Sequence, residues 1–160
     1  MIFLSVGTQL PFDRLIKCVD SFTEKRPELK VFGQIGNTES HPKNFQYEKF
    51  ISADKFEYYT AQCDILIAHA GMGSIISAIK YNKPIILFPR RASLGEHRND
   101  HQLSTVKRFS HLNNVKVADN EDEILAAYEE LISKNLKEPV NVSENLDSLK
   151  IFIQREIDNV

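Results

Sequence analysis

Apolar residues follow two rhythms along this chain. Continuous runs at 2–6, 29–34, 64–68, 84–88 and 115–118 read as strands buried on both faces, the pattern of a parallel sheet. Between the first two runs, Phe12, Leu15, Ile16, Val19 and Phe22 recur at helical spacing. Tyr47, Phe50 and Ile51 mark a further strand of weaker alternation. Asp54, with Glu57 three residues on, predicts a capped helix over 55–62. Helices are also expected from Ser74 to Asn82, over 100–112, and over 121–133, where an acidic first turn suits the helix dipole. Leu146, Leu149, Phe152, Ile153 and Ile157 mark a terminal helix within 140–160. Strand and helix alternate without a repeat or low-complexity linker. The order predicts one Rossmann-like, doubly wound α/β domain over 1–160, with a mostly parallel sheet.

Composition agrees with one domain: 160 residues, 42% of them apolar, can bury a core. With 26% charged residues and a formal net charge of −2, the chain lacks the basic excess of a nucleic-acid binder. Cys18 and Cys63 stand far apart, outside any disulfide or zinc pattern, which fits a reducing cytoplasm. The opening residues lack the basic flank of a signal peptide, and no apolar run reaches the roughly 18 residues of a membrane span. A soluble protein is expected, or one held at a membrane by something else.

In a doubly wound sheet ligands bind beyond the carboxyl ends of the strands, where the strand order reverses. That rule draws attention to four places: Gly7-Thr8, the region near Gly36, His69 to Ser74, and the segment just after Phe88. Ala68-His-Ala-Gly-Met-Gly-Ser74 follows a buried strand and opens a helix, so its glycines allow close backbone approach while free N–H groups face an anion. This describes a phosphate or diphosphate cradle, although glycine at such a junction also serves steric ends and Ser74 also suits a cap. His69 at the strand tip is placed to bond a phosphate or a hydroxyl, or to satisfy a neighbouring carbonyl. Gly7-Thr8-Gln9 forms a second glycine turn at the same sheet edge. After the strand ending at Phe88, Arg90, Arg91, Glu96, His97, Arg98, Asp100, His101 and Gln102 offer the mixed donors and acceptors that suit a sugar. No acidic pair stands where a metal would be held, and neither HExxH nor a Ser-His-Asp order occurs.

Together, VGTQLPFDRLI, HAGMGSIISAIKYNKPIILFPR and GEHRNDHQ, in this order, resemble the glycosyltransferase family 28 C-terminal domain, the nucleotide-sugar-binding half of GT-B enzymes. The likeness runs from Met1 to about Ala118. A complete GT-B enzyme has two such domains and this chain one. It is therefore similar to stand-alone catalytic subunits of split enzymes, eukaryotic (dolichol-linked N-acetylglucosaminyl transfer) and bacterial (capsule and exopolysaccharide synthesis). The resemblance implies a hexosyltransferase, inverting and metal-independent, that moves galactose or N-acetylglucosamine from a UDP-sugar to a lipid-diphosphate-linked sugar. It also implies a membrane-anchored acceptor-half partner at the inner face of a membrane, and no cofactor. Gly71, Met72, Gly73 and Ser74 would lie against the diphosphate, with Gly7 and Thr8 on the facing turn. Asp100, His101 and Gln102 would lie near the donor sugar, and Gly36 with Phe50 and Ile51 near the base. Where many relatives carry a glutamate for the ribose hydroxyls this chain has Ser77, so Glu96 is a second candidate for that task.

Transfer requires the leaving diphosphate's charge to be stabilised, here by the helix start, with Arg90 or Arg91 assisting. It also requires a base for the acceptor hydroxyl. His69 is one candidate; the partner is another source. A non-catalytic UDP-sugar-binding or regulatory subunit is the alternative function, and an epimerase-like enzyme without an acceptor is a third class.

Overall fold

The expected strands are all present in the computed structural model, which describes residues 1–133. They are β1 (Ile2–Ser5), β2 (Val31–Gln34), β3 (Gln46–Glu48), β4 (Ile65–His69), β5 (Ile85–Phe88) and β6 (Val115–Val117). The helices are α1 (Asp13–Glu24), α2 (Ala53–Gln62), α3 (Met72–Lys80), α4 (His101–Phe109) and α5 (Glu121–Ser133). One six-stranded sheet runs in the order β3-β2-β1-β4-β5-β6. Every neighbouring pair is parallel, so the sheet expected to be mostly parallel is parallel throughout. The expected terminal helix over 140–160 lies outside the described residues.

Successive residues of β1 point to opposite faces and divide the core in two. Ile2 and Leu4 pack with Leu15, Ile16 and Val19 of α1 and with Ile124 and Leu131 of α5. Phe3 joins Ile75, Ala78 and Ile79 of α3 and Phe109 of α4 on the other face. It meets Phe56 of α2 edge-on, with ring centroids 5.4 Å apart, and stacks on Tyr59 at 5.6 Å. From the neighbouring strands β1 and β4 the chain thus departs to opposite faces, α1 to one and α3 to the other. The space beyond their carboxyl ends is the switch point.

Several boundaries differ from the sequence reading: β2 starts at Val31 and not Leu29, α3 runs over Met72–Lys80 and not 74–82, and α4 ends at Phe109 and not 112. Helix α2 starts at Ala53, and its cap is Ser52, whose Oγ accepts from the Lys55 N–H at 3.3 Å. Asp54 is already in the first turn, and Glu57 instead accepts from Lys80 and the Tyr81 hydroxyl, both at 2.8 Å. Strand β3 ends before Phe50, which is 46% exposed, and Ile51, because pairing with β2 covers only Gln46–Glu48. The loop after β5 contains a 3-10 turn at Ala92–Leu94.

That loop is bound to the one after β1 by a single side chain. Arg90 is only 3% exposed. Its guanidinium donates to the carbonyls of Val6 (2.9 Å), Leu10 (2.7 Å), Pro11 and Glu96 (3.3 Å). It also lies 4.3 Å from the centroid of the Phe12 ring. Because β1 and β5 flank β4, Arg90 fixes the loops on either side of the β4 tip. Arg14 braces the arrangement from below: Nε and Nη2 donate to the two Glu96 carboxylate oxygens, each at 2.8 Å, and Nη2 also donates to the Pro89 carbonyl at 2.8 Å.

Arg90→Met is expected to lower the free energy of unfolding by about 2–3 kcal/mol, since it strips four carbonyls of a charged donor. Arg90→Lys should recover only part of this, because an ammonium cannot fork across two loops. Urea unfolding of the two variants checks the order; equal stability of both with the parent would contradict the clamp.

Candidate active site

Beyond the ends of β1 and β4 lies a crevice of about 1160 Å³, walled by the loop after β1 and by the starts of α2, α3 and α4. Its floor is built by the step from β4 into α3. The chain turns at Ala70-Gly71, and Gly71 is the extended N-cap, with no side-chain cap bond. The N–H groups of Met72, Gly73 and Ser74 therefore begin the helix without intrahelical acceptors. All three residues line the crevice. A Cβ placed on Gly73 would meet nothing within 4 Å. A helix start carrying the positive end of its dipole thus opens onto free space, which suits an anion.

His69 stands beside this helix start, and two glycines make room for it. A side chain on Gly71 would overlap the ring at Nε2, and a Cβ on Gly7 would lie 2.8 Å from Cε1. Gly7 also has φ +79, a left-handed backbone that glycine adopts at little cost. The Nδ1 atom is 3.5 Å from the Ser5 carbonyl, a long contact. Burial, then the charge of Arg90, pushes the imidazole pKa down to about 4. The ring is neutral at neutral pH. The Gly7 turn is itself fixed, since its carbonyl accepts from Gln34 Nε2 at 3.1 Å and Gln34 Oε1 accepts from Ser5 Oγ at 2.9 Å.

Thr8 and Ser77 also line the crevice, as do His101 and Gln102 at the start of α4. Gln102 Oε1 accepts from the Arg90 N–H at 3.0 Å, which leaves the amide NH₂ as its donor. Of the residues expected near the base, Ile51 lines the crevice whereas Gly36 and Phe50 do not.

Four expectations are corrected. Arg90 borders the crevice, but its guanidinium is engaged by backbone carbonyls, so it holds loops in place of a diphosphate. Arg91 is turned to Asp119, with Nε 3.3 Å from Oδ1. Glu96 does not reach ribose hydroxyls, because both its oxygens accept from Arg14. Asp100 does not line the crevice; its Oδ1 accepts from the Ala92 N–H at 3.0 Å and ties the loop to α4.

Sequence reading missed two walls. Ser52, Ala53 and Phe56 contribute the start of α2, and Ser104, Thr105, Lys107 and Arg108 contribute α4. The second was detectable: His101, Ser104, Thr105 and Arg108 stand at i, i+3, i+4 and i+7, a polar stripe on one helix face. No aspartate or glutamate is among the described residues that line the crevice, whereas Arg90, Lys107 and Arg108 are. In a chain of net charge −2 this concentrates positive potential in one place.

Comparison with known proteins bears on the family and the fold. Residues 1–155 match the glycosyltransferase family 28 C-terminal domain. The human UDP-N-acetylglucosamine transferase subunit ALG13 is 29% identical over 120 residues, which is 68% of this chain and 10% of ALG13. The chain thus spans about a tenth of the length of that curated relative. An NMR structure of ALG13 superposes with a TM-score of 0.66 at 20% identity, over 94% of this chain and 93% of the other. The glycotransferase of kitacinnamycin gives a TM-score of 0.66 at 17% identity, over 92% of this chain and 37% of the other. MurG from Acinetobacter baumannii gives 0.57 at 16%, over 88% and 43%. At these identities the structures carry the fold alone. With the match extending over nearly its whole length, the chain belongs to the glycosyltransferase family 28 C-terminal domain family.

Proposed function

We infer that this chain is the donor-binding half of a split UDP-sugar glycosyltransferase. It transfers a hexose, galactose or N-acetylglucosamine, to a lipid-diphosphate-linked sugar, together with a membrane-anchored acceptor-half subunit at the cytoplasmic face of a membrane. The observation that carries this reading is the uncapped start of α3, opening through Gly73 onto free space in a crevice without carboxylates among its described lining. A UDP diphosphate fits the charge, and ALG13, named as a subunit of a UDP-N-acetylglucosamine transferase, supports both the donor and the need for a partner. Among the described residues no helix is long and apolar enough to cross a membrane, which fits recruitment through such a partner.

In this reading the bond from the anomeric carbon to the diphosphate oxygen breaks as the acceptor oxygen bonds that carbon from the opposite side, inverting it. The departing negative charge is met by the Met72, Gly73 and Ser74 N–H groups and the α3 dipole, so transfer is metal-independent. Gln102 Nε2 and His101 orient the sugar. His69 is neutral and open to a proton, but a pKa of about 4 makes it a weak base for an acceptor hydroxyl. Its seat between Gly7 and Gly71 suits positioning, and the partner half supplies the stronger base. The chain alone therefore binds donor and turns over slowly. One observation favours the second reading, a UDP-sugar-binding subunit without catalysis: Ser77 stands where the family resemblance sets a ribose-binding glutamate. Transfer by the reconstituted complex separates the two.

Titration calorimetry with UDP, UDP-galactose and UDP-N-acetylglucosamine should give one-site binding to the chain. Gly73→Asp should weaken it at least about tenfold by setting a carboxylate against the diphosphate. The variant should stay folded, because its side chain meets open space and an acidic group suits a helix start. Unchanged affinity would remove α3 from the site.

The histidine gives a pH signature. An imidazole that titrates near pH 4 when folded and near 6.5 when unfolded stabilises the fold fully above pH 6.5 and loses that contribution as the pH falls toward 4. The loss amounts to about 3 kcal/mol. In His69→Gln, unfolding measured from pH 7 to pH 4 should show a correspondingly shallower decline; an identical slope would mean that His69 is not held neutral.

A further inference from the structure

The crevice has more room and more positive charge than the α3 cradle uses. Its volume of about 1160 Å³ exceeds the roughly 300–1,000 Å³ of most single-ligand pockets. Its α4 wall presents His101, Ser104, Lys107 and Arg108. Helix α4 starts beyond the end of β5, next to the end of β4 where α3 begins, so both helices run back from the same sheet edge. Lys107 and Arg108 lie roughly 9–10 Å along the axis from His101, at 1.5 Å per residue. Cations in a last turn also complement the helix dipole, but that benefit does not require them to border a crevice. Among the described residues Lys107 makes no ion pair. Asp100, the nearest acid on this element, turns to the Ala92 N–H. A guanidinium, an ammonium and a hydroxyl on one face make a phosphate-binding set.

We propose that the α4 wall, through Ser104, Lys107 and Arg108, is a second anion subsite that seats a phosphate group of the acceptor, separate from the donor cradle at the α3 start. This rests on the donor reading of the crevice. It assigns to this chain a part of acceptor recognition, with electrostatic attraction drawing a second phosphorylated substrate toward the first.

The test titrates inorganic pyrophosphate into the full chain saturated with UDP. A second binding event is expected, weakened at least about tenfold in the Lys107→Gln/Arg108→Gln double variant and by a clearly larger factor than UDP binding is. Pyrophosphate that only competes with UDP would overturn the proposal, as would a double variant that loses UDP and pyrophosphate in step, which would assign the α4 cations to the donor. If UDP does not bind the parent chain, the donor reading fails, and pyrophosphate stoichiometry without UDP then decides the subsite. Loss of one of two pyrophosphate sites in the double variant sustains it, and unchanged stoichiometry overturns it. Circular dichroism of the parent and of the double variant checks that both proteins are folded.

Discussion

The buried guanidinium of Arg90 is the constraint on which the geometry of the crevice depends. Four carbonyls from two loops converge on it, and those loops border the β4 tip on either side. A cation removed from water is costly unless its donors are satisfied, and here the backbone satisfies them. The desolvation is strong enough to lower even the arginine pKa to about 10, which still leaves it charged. Its charge has a second effect: with burial, it keeps His69 neutral. One side chain therefore both ties the loop that carries Gly7 to the loop after β5 and adds to the burial that keeps His69 neutral.

The division of the sheet faces explains why an anion site lies here. The chain leaves β1 toward α1 and leaves β4 toward α3, so the helices that follow these two strands diverge from the space between their ends. Positive charge can collect there because no acid is among the described residues that line the crevice, and several acids are paired elsewhere. Glu96 is paired with Arg14, Glu57 with Lys80 and Glu121 with Lys25. Potential in a recessed, partly desolvated crevice is stronger than the same charges would produce on an open surface. An overall charge of −2 thus hides a basic site.

The sheet was legible because strands buried on both faces leave continuous apolar runs, as at β1, β4 and β5. The α3 start was legible for a similar reason: glycine at a strand-to-helix step is a local signal of backbone geometry. What the sequence hid was the orientation of polar side chains in the loop after β5. Arg90, Arg91, Glu96 and Asp100 looked like a sugar site as a string of letters, yet each is turned to a long-range or backbone partner. Such pairings depend on which loops the topology brings together, and spacing does not encode them. The α2 cap was misread within a smaller range, since Ser52 and Asp54 are both good caps and only the backbone distinguishes them. Gly7 and Gly71 were read as serving a ligand, whereas the structure shows that the His69 ring already requires both.

The central claim is that the α3 start is the seat of a UDP diphosphate. Backbone amide NMR of the chain titrated with UDP tests it most directly, because each N–H reports its own hydrogen bond. The account predicts that the largest shifts fall on Met72, Gly73 and Ser74, with smaller ones at Gly7 and Thr8. Shifts confined to other parts of the surface, with those five amides unmoved at saturation, would contradict it.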